Sequence, residues 1–161
     1  MMRFCYLDTD IGRLLLAGDA DGLKLISFPK GKMAQQPKPN WQEDRQAFDQ
    51  AKQQLSEYFA GQRKEFDLKI APQGTAFQLE VLQALQTIPY GQTRSYAELA
   101  RSINRPKAVR AVGAANGRNP LPIVIPCHRV IGSNGSLTGF GGGLAAKKAL
   151  LELENALANM P

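Results

Sequence analysis

The sequence predicts an α+β protein in which a small N-terminal α/β sheet domain precedes a mostly helical C-terminal domain. Short apolar or alternating runs, separated by turn residues, fill the first 28 residues and are typical of a strand meander. After Gly74 the apolar spacing becomes helical and helix-capping pairs appear. A length of 161 residues suits one domain or two small ones that share an interface. We therefore expect domains at residues 1–72 and 73–161.

The elements of the N-terminal half follow from alternating apolar residues and from turn residues between them. A polar loop is expected over residues 29–40, and the apolar spacing predicts a helix over residues 41–60. Gly61 suits the position just after the C-cap of that helix. This half carries no motif with recognisable chemistry. The predicted strands are residues 3–7, 13–17, 23–28 and 66–70.

Two capping boxes mark helix starts in the C-terminal half. Thr75 with Gln78 opens one helix, and Ser95 with Glu98 opens a short helix that ends near Ser102. A further short, basic helix follows after a tight turn. This arrangement predicts a helix-turn-helix, although any compact helix pair gives a similar pattern.

A run of β-branched residues at 123–125 leads through Pro126 to Cys127 and predicts an extended segment with the thiol at its end. The single histidine of the chain, His128, follows directly. Cysteine reacts as the thiolate, and a neighbouring imidazole is a usual means of forming one near neutral pH. The alternative is a buried cysteine at a strand end beside a chance histidine.

Residues 144–157 are the predicted final helix, and Glu154 falls within its apolar stripe. A carboxylate there needs a partner, and His128 is the candidate. The alternative is a glutamate that reaches solvent from the edge of the stripe. A flexible, close-packing loop precedes the helix and contains Phe140 together with Gly132, Gly135, Gly139, Gly141, Gly142 and Gly143.

The positive charge of the chain is concentrated in one segment. Residues 91–129 hold seven basic residues and one acid, which accounts for the whole net charge of +6. Such an excess indicates a polyanion such as nucleic acid, and a solvated basic face is the alternative. The basic residues are Arg94, Arg101, Arg105, Lys107, Arg110, Arg118 and Arg129.

The helix that carries Arg110 has one face of small residues around a single long cation, as a helical wheel shows. Pro106 is expected at the first position of this helix. Small residues let a backbone approach a partner closely, and the arginine could enter a base stack. Close packing on another helix explains the same face. The wheel places Pro106, Lys107, Gly113, Ala114 and Gly117 around Arg110.

Several classes are disfavoured by composition. No apolar run approaches the roughly 20 residues of a membrane span, and the N-terminus lacks a signal peptide, so we expect a cytoplasmic protein. Cys5 and Cys127 should be free thiols in a reducing compartment. With two cysteines and one histidine, a closed zinc site needs carboxylates, so we expect no metal and no cofactor.

Four motifs together resemble the O6-alkylguanine-DNA alkyltransferases, or methylated-DNA–protein-cysteine methyltransferases. They are Arg110-Ala111-Val112-Gly113, Asn119-Pro120, Pro126-Cys127-His128-Arg129-Val130 and Gly142-Gly143-Leu144. The resemblance is specific over residues 75–154. It implies a ribonuclease-H-like N-terminal sheet domain and a single-turnover transfer of the alkyl group from O6-alkylguanine in DNA to the active-site cysteine.

The resemblance also implies roles for individual residues. Cys127 matches the alkyl acceptor, and His128 with Glu154 matches the relay that draws off its proton through a water. Asn119 matches the hinge that ties the helix-turn-helix to the active-site loop. Tyr96 matches the tyrosine that bonds the flipped guanine. By themselves, Tyr96 could belong to the core and Asn119 to a plain turn.

For DNA, the resemblance implies that Arg110 fills the gap left by the flipped base and that the recognition helix enters the minor groove. We expect a monomer in solution that binds double-stranded DNA and no membrane, and activity on O4-alkylthymine stays open. Further expected DNA contacts are Arg94, Lys107, Gly113, Ala114 and Arg118.

Two positions depart from the family pattern. Phe140 stands where a tyrosine is common, and Ala149 replaces a larger aromatic residue. Two other functions are alternatives: a non-catalytic sensor of alkylated bases or DNA-binding regulator, and a cysteine hydrolase using Cys127, His128 and Glu154. The nucleophile at position 127 argues against the sensor. In the hydrolase, adjacent Cys and His side chains would have to meet through a water.

Overall fold

The computed structural model describes residues 1–137 and 140–157. Its N-terminal half is an antiparallel meander of β1 (Arg3–Thr9), β2 (Gly12–Asp19) and β3 (Gly22–Ser27), which confirms the first three predicted strands. A short β4 (Gln42–Glu43) pairs in parallel with β1, so the sheet order is β3-β2-β1-β4. The helix α1 (Asp49–Phe59) follows it.

The prediction of a helix over residues 41–60 was wrong at its start. The backbone of this stretch is used by the sheet edge, because the Gln42 amide donates to the Met2 carbonyl and the Asp44 amide to the Phe4 carbonyl. Phe48 then adopts a left-handed backbone (φ 61°), which lets the helix begin only at Asp49.

The predicted fourth strand, over residues 66–70, was also wrong. Its last residue, Ile70, makes one isolated parallel bridge to Leu23. The Leu23 amide donates to the Lys69 carbonyl, and its own carbonyl accepts from Ala71. Two hydrogen bonds fix the segment to the edge of β3, but they do not extend into a ladder.

The C-terminal half is mostly helical, and both predicted capping boxes are present at Thr75 and Ser95. The helices α3 (Tyr96–Ser102) and α4 (Val109–Gly117) are joined by residues 103–108, and they pack on each other and on α2 (Ala76–Leu85). A two-residue parallel pair, β5 (Arg94–Ser95) with β6 (Val130–Ile131), lies beside them. Helix α5 (Leu144–Leu153) follows later in the chain.

Pro106 does not begin α4, contrary to the prediction. The Ala108 amide donates to the Arg105 carbonyl, so residues 105–108 form a β-turn with Pro106 at its second position, where its fixed φ fits. The helix begins two residues after Lys107, at Val109.

One apolar core runs through both halves of the protein. Leu14 and Leu55 from the first half share it with Leu85, Leu121 and Ile125 from the second. The Ile26 amide of β3 also donates to the Pro120 carbonyl at 2.8 Å. The segment that leads to Cys127 is therefore built against the N-terminal sheet. Among the described residues, no helix is long and apolar enough to cross a membrane.

Candidate active site and DNA-binding face

The segment before Cys127 is a series of turns, which contradicts the predicted extended run. Ile123 has φ 75°, a conformation that costs energy for a β-branched residue, and the Ile125 amide donates to the Leu121 carbonyl at 2.8 Å. Pro126 (φ −80°, ψ 62°) is the centre of an inverse γ-turn, closed by the Cys127 amide on the Ile125 carbonyl at 2.7 Å. Cys127 then begins a 3₁₀ turn that ends at Arg129.

Asn119 holds this series of turns together. Its Oδ1 accepts from the Leu121 amide at 3.0 Å, and its Nδ2 donates to the Ile125 carbonyl at 2.8 Å. The side chain is buried and joins the end of α4 to the loop that carries the thiol. The hinge role expected for Asn119 stays a prediction, and these contacts are what it would rest on. They also explain why β-branched residues do not form a strand here.

The Cys127 thiol is buried, with 4% of the residue exposed. Burial raises the pKa of the thiol to about 11, although a hydrogen bond from Asn119 and the charge of Lys147 act in the opposite direction. At neutral pH the resting group is a thiol. A base is therefore needed to form the nucleophile.

Glu154 is the C-cap of α5, whereas the prediction placed it inside a helix reaching residue 157. The helix ends in a Schellman motif: the Ala156 amide donates to the Leu151 carbonyl and the Asn155 amide to the Glu152 carbonyl. Asn155 takes the left-handed backbone that this motif requires (φ 57°). The helix end thereby fixes the backbone that carries the carboxylate.

Glu154 is the hub of a buried hydrogen-bond network. Its Oε2 accepts from His128 Nε2 at 2.7 Å, Tyr58 Oη at 2.5 Å and Arg129 Nη2 at 3.0 Å. Its Oε1 accepts from Arg129 Nε at 2.8 Å and the Gly91 amide at 3.2 Å. Burial acts to raise the pKa of Glu154, but the hydrogen bonds from His128 and Arg129 and the charge of Arg129 outweigh it and hold the pKa well below its usual range.

The ionised carboxylate decides the tautomer of His128. Burial lowers the pKa of His128 more than Glu154 raises it, so the ring is neutral. An ionised carboxylate only accepts hydrogen bonds, so the proton of the neutral ring lies on Nε2. Nδ1 then carries a free lone pair, and within the described residues it has no hydrogen-bond partner. The arrangement leaves one basic nitrogen on a residue adjacent to Cys127.

Three buried residues in or near this network were not found from the sequence. Tyr58 lies 96 positions from Glu154, and no pattern connects them. Arg129 was counted among the basic residues that indicate a polyanion, but it is buried and forms a bidentate pair with Glu154. Lys147 is buried, donates to the Val130 carbonyl, and has its pKa lowered to about 8 by burial. Its position on the apolar stripe of α5 was a usable signal.

A cavity of about 20 Å³ adjoins Cys127. This volume holds a water molecule and is far too small for a purine. Its walls come from both halves: Phe28 and Met33 from the first, Asn119 and Phe140 from the second. The rings of Phe28 and Phe140 meet edge to face, with centroids 5.4 Å apart.

The glycine-rich loop is needed for this contact between the halves. A Cβ at Gly142 would overlap the ring of Phe28, and one at Gly141 would overlap the side chain of Met33. The Met33 amide donates to the Gly141 carbonyl at 3.2 Å. Gly139 of the predicted loop lies outside the described residues.

The predicted DNA-contacting residues lie mostly on or beside α4. Arg110, Ala114 and Arg118 are exposed, as is Lys107 in the preceding turn. Tyr96, the first residue of α3, is half-buried, and a Cβ at Gly113 would meet its ring at 3.6 Å. The structure thus brings Tyr96 and α4 together. A separate groove of about 540 Å³ runs from this helix to the loops around Met33 and Gly141, with Arg118 in its wall.

Not all of the basic segment is available to a polyanion. Arg105 pairs with Glu80 at 3.4 Å, and Arg129 is committed to Glu154. Arg94 is half-buried in β5, where it donates to Gln92 Oε1 and the Thr93 carbonyl. In the part of the chain that the structure describes, the basic residues without an acidic partner in this segment are Arg94, Arg101, Lys107, Arg110 and Arg118.

Of the two departures from the family pattern, Phe140 belongs to the pocket wall and Ala149 is half-buried on α5. No group of three or more potential metal ligands of the Cys, His, Asp and Glu type occurs among the residues that the structure describes.

The fold and the site define a class: a two-part protein in which a helical half, with the packed pair α3 and α4, carries a buried cysteine beside a histidine–glutamate pair. Comparison with known proteins agrees. Residues 2–72 match the ribonuclease-like domain of 6-O-methylguanine DNA methyltransferase, and residues 76–156 match the DNA-binding domain of the same enzyme. The chain belongs to the 6-O-methylguanine DNA methyltransferase family.

Individual relatives are similar over nearly their whole length. A methylated-DNA–protein-cysteine methyltransferase of Methanosarcina acetivorans is 52% identical over 155 residues, which cover 96% of this chain and 99% of the relative. The crystal structure of Mycobacterium tuberculosis O6-methylguanine methyltransferase superposes with a TM-score of 0.88 at 48% identity, and the match covers 100% of this chain and 96% of that structure's chain. The crystal structure of M. tuberculosis OGT in complex with DNA has a TM-score of 0.90 at 48% identity, and the match covers 96% of this chain and 94% of that one.

Proposed function

We propose that this protein repairs alkylated DNA directly, by moving the alkyl group of an O6-alkylguanine to Cys127 in one irreversible turnover. The observation that carries the proposal is the buried set of Cys127, His128 and Glu154, in which an ionised carboxylate orients a neutral imidazole and leaves Nδ1 basic. The names of the relatives support the same activity.

The resting thiol must first lose its proton. His128 Nδ1 accepts it through one water molecule, and Glu154 stabilises the imidazolium that forms. Cys127 Sγ then bonds to the alkyl carbon as the bond from that carbon to guanine O6 breaks. The electron pair stays on the guanine, where the Tyr96 hydroxyl donates to it, and a proton returned through solvent makes neutral guanine. None of the described residues near Cys127 can hydrolyse the thioether product, so each protein molecule acts once.

The guanine must be extruded from the duplex, because an alkyl group within the base stack is out of reach of a thiol. The cavity beside Cys127 is too small for it. We therefore infer that the wall formed by Phe28, Met33, Phe140 and Gly142 moves when the base enters. Opening at this wall connects Cys127 with the larger groove beside Arg118 and Ala114.

The exposed face of α4 is the proposed contact with the minor groove. Arg110 occupies the place of the extruded base, and Ala114 lets the helix backbone come close to the duplex. Lys107 and Arg118 lie on or beside this helix, and Arg94 lies in β5, directly before α3. All three contact phosphates. We further propose that the protein is a cytoplasmic monomer whose halves divide near residue 73.

The test is covalent labelling. The protein is incubated with a duplex that contains one O6-methylguanine, and the tryptic peptide of residues 119–129 is weighed. We expect one added methyl on Cys127, saturating at one per protein, in the wild type and in Cys5→Ser. Cys127→Ser should acquire none. Methyl transfer that persists in Cys127→Ser would overturn the proposal. An O4-methylthymine duplex in the same assay measures whether the pyrimidine is also a substrate.

A further inference from the structure

Among the described residues that bond to Glu154, Tyr58 is the one that comes from the N-terminal half. It lies on α1, no part of it is exposed to solvent, and its hydroxyl donates to the same carboxylate oxygen that accepts from His128. Burial and the negative charge of Glu154 raise the pKa of the phenol, so the hydroxyl keeps its proton and remains a donor.

The ring of Tyr58 is fixed by its neighbours. Phe59 meets it edge to face with centroids 5.5 Å apart, Phe66 lies at 5.5 Å, and Tyr90 at 6.2 Å. The direction of the hydroxyl is therefore set by aromatic packing within and against the N-terminal half. A donor with a fixed position constrains the group that accepts from it.

The carboxylate is constrained from several sides. Arg129 holds both oxygens, the Gly91 amide holds Oε1, and Tyr58 shares Oε2 with His128. If Arg129 were the only partner, the carboxylate could tilt together with the guanidinium. The hydroxyl of Tyr58 is the uncharged donor that opposes this tilt at the oxygen nearest the imidazole.

We propose that Tyr58 is a positioning residue for alkyl transfer, through which the N-terminal half orients Glu154 and, with it, the imidazole of His128. The proposal rests on the relay described under the proposed function. It assigns part of the chemistry to the half of the chain that showed no motif. Tyr58 does not touch the reacting atoms, and it acts only through the carboxylate.

The test is a direct titration of the imidazole. The chain has one histidine, so its ¹⁵N signals belong to His128 alone. In Tyr58→Phe the charge on Glu154 is less dispersed and attracts the imidazolium more strongly, so the pKa of His128 should rise. Tyr90→Phe is the matched control, because its hydroxyl donates to the Leu153 carbonyl and not to the carboxylate.

The titration must be read against the other groups around the relay. Cys127, Arg129 and Lys147 stay in place in both variants, and each variant removes one phenol hydroxyl near Glu154. A difference between Tyr58→Phe and Tyr90→Phe therefore isolates the hydrogen bond to the carboxylate. The charged and titratable groups facing His128 and Glu154 are Cys127, Arg129, Lys147, Tyr58 and Tyr90.

The second readout is the single-turnover rate of methyl transfer at saturating duplex, which removes differences in DNA affinity. We expect methyl transfer by Tyr58→Phe to be slower by about tenfold, a typical loss when a residue that orients a catalytic group is removed. The acidic limb of its pH–rate profile should move to higher pH. Tyr90→Phe should match the wild type. An unchanged His128 titration and rate in folded Tyr58→Phe would overturn the proposal.

The relay itself is tested separately by His128→Ala and Glu154→Gln. Wild-type rates in both variants would reject the relay, whereas slow rates in both with a normal Tyr58→Phe would reject the role of Tyr58 alone. If Tyr58→Phe does not fold, replacement of tyrosine by 3-fluorotyrosine in the wild-type chain strengthens the donor, and the pKa of His128 should then fall. An unmoved His128 signal in that protein would also overturn the proposal.

Discussion

Asn119 Nδ2 donates to the carbonyl of Ile125 at 2.8 Å, and this bond closes the turns that place Cys127 at the junction of the two halves. The same side chain accepts from Leu121. A single amide therefore fixes both the start and the end of the loop before the thiol. Its removal should affect both the stability of the protein and its chemistry.

We expect Asn119→Ala to lower the free energy of unfolding by about 1–3 kcal/mol, because it leaves the buried Leu121 amide without its partner and removes one of the two hydrogen bonds to the Ile125 carbonyl. Methyl transfer should slow as the thiol loses its fixed position. Chemical denaturation and the single-turnover rate measure the two effects. Asn134→Ala is the control, since the Asn134 side chain accepts from the Ser136 amide at an exposed turn. Equal stability of the two variants would contradict the assigned role.

Glu154→Gln should destabilise the protein near neutral pH by about 3–5 kcal/mol, because Arg129 becomes a buried cation without a counter-charge. Glu152→Gln, on the exposed side of the same helix, should change little. Denaturation with urea provides the comparison. A small effect at Glu154 would mean that Arg129 finds another partner.

The pH dependence of stability follows from the same network. The pKa of Glu154 is lowered on folding, so its contribution is present above the unfolded value, roughly 4.3, and is lost as pH falls toward the folded value. The pKa of His128 is also lowered, so its contribution declines below about pH 6.5. We expect wild-type stability to fall in two stages on acidification. Glu154→Gln should lack the lower stage.

Lys147→Met should raise the pKa of the Cys127 thiol further, because the charge of Lys147 acts to lower it. Thiolate absorbance against pH, measured in a Cys5→Ser background, reports this value. The control is Lys148→Met, which removes an exposed lysine one residue away. The prediction fails if both variants titrate alike.

Arg118→Ala should weaken binding to any duplex and reduce the dependence of log affinity on log salt by about 0.9, as expected for one lost phosphate contact. Fluorescence anisotropy at several salt concentrations gives the slope. Arg13→Ala, on the N-terminal sheet and paired with Asp8, is the control and should leave the slope unchanged. An unaltered slope in Arg118→Ala would remove this residue from the interface.

Ala114→Leu should weaken DNA binding without loss of stability, since the side chain is exposed on the face of α4 that we propose as the contact with the groove. Ala111→Leu is the control, because it adds the same bulk at another exposed position of the same helix. Measured around the helix axis from the direction midway between Arg110 and Ala114, Ala111 lies about 60° further away than Ala114 does. Affinity for an unmodified duplex and thermal unfolding distinguish the two. Equal affinity would place the interface elsewhere.

The sequence predicted best what local interactions decide. Both capping boxes depend on residues three apart, and the three strands of the meander depend on alternation and nearby turns. The start of α1 was missed because residues before it pair with β1, a contact that periodicity does not encode. The run before Cys127 was missed because Asn119 imposes turns on β-branched residues.

The site was predicted in part for the same reason. The pair of His128 and Glu154 could be proposed because a carboxylate within an apolar stripe needs a partner. Tyr58 could not be predicted, because nothing in α1 distinguishes it from an ordinary core tyrosine. The ion pair between Arg129 and Glu154 was not predicted, because the basic residues near Arg129 in the sequence made it resemble one more cation of a polyanion-binding segment.

The enclosure of Cys127 has a consequence for the lifetime of the protein in the cell. A reagent that works once is lost if peroxide, a disulfide or a stray electrophile reaches it first. A thiol that is protonated at rest and covered by Phe28 and Phe140 reacts slowly with all of these. Under the proposed function, the thiol becomes reactive only when a bound base opens this wall, so the protein stays unmodified between rare lesions.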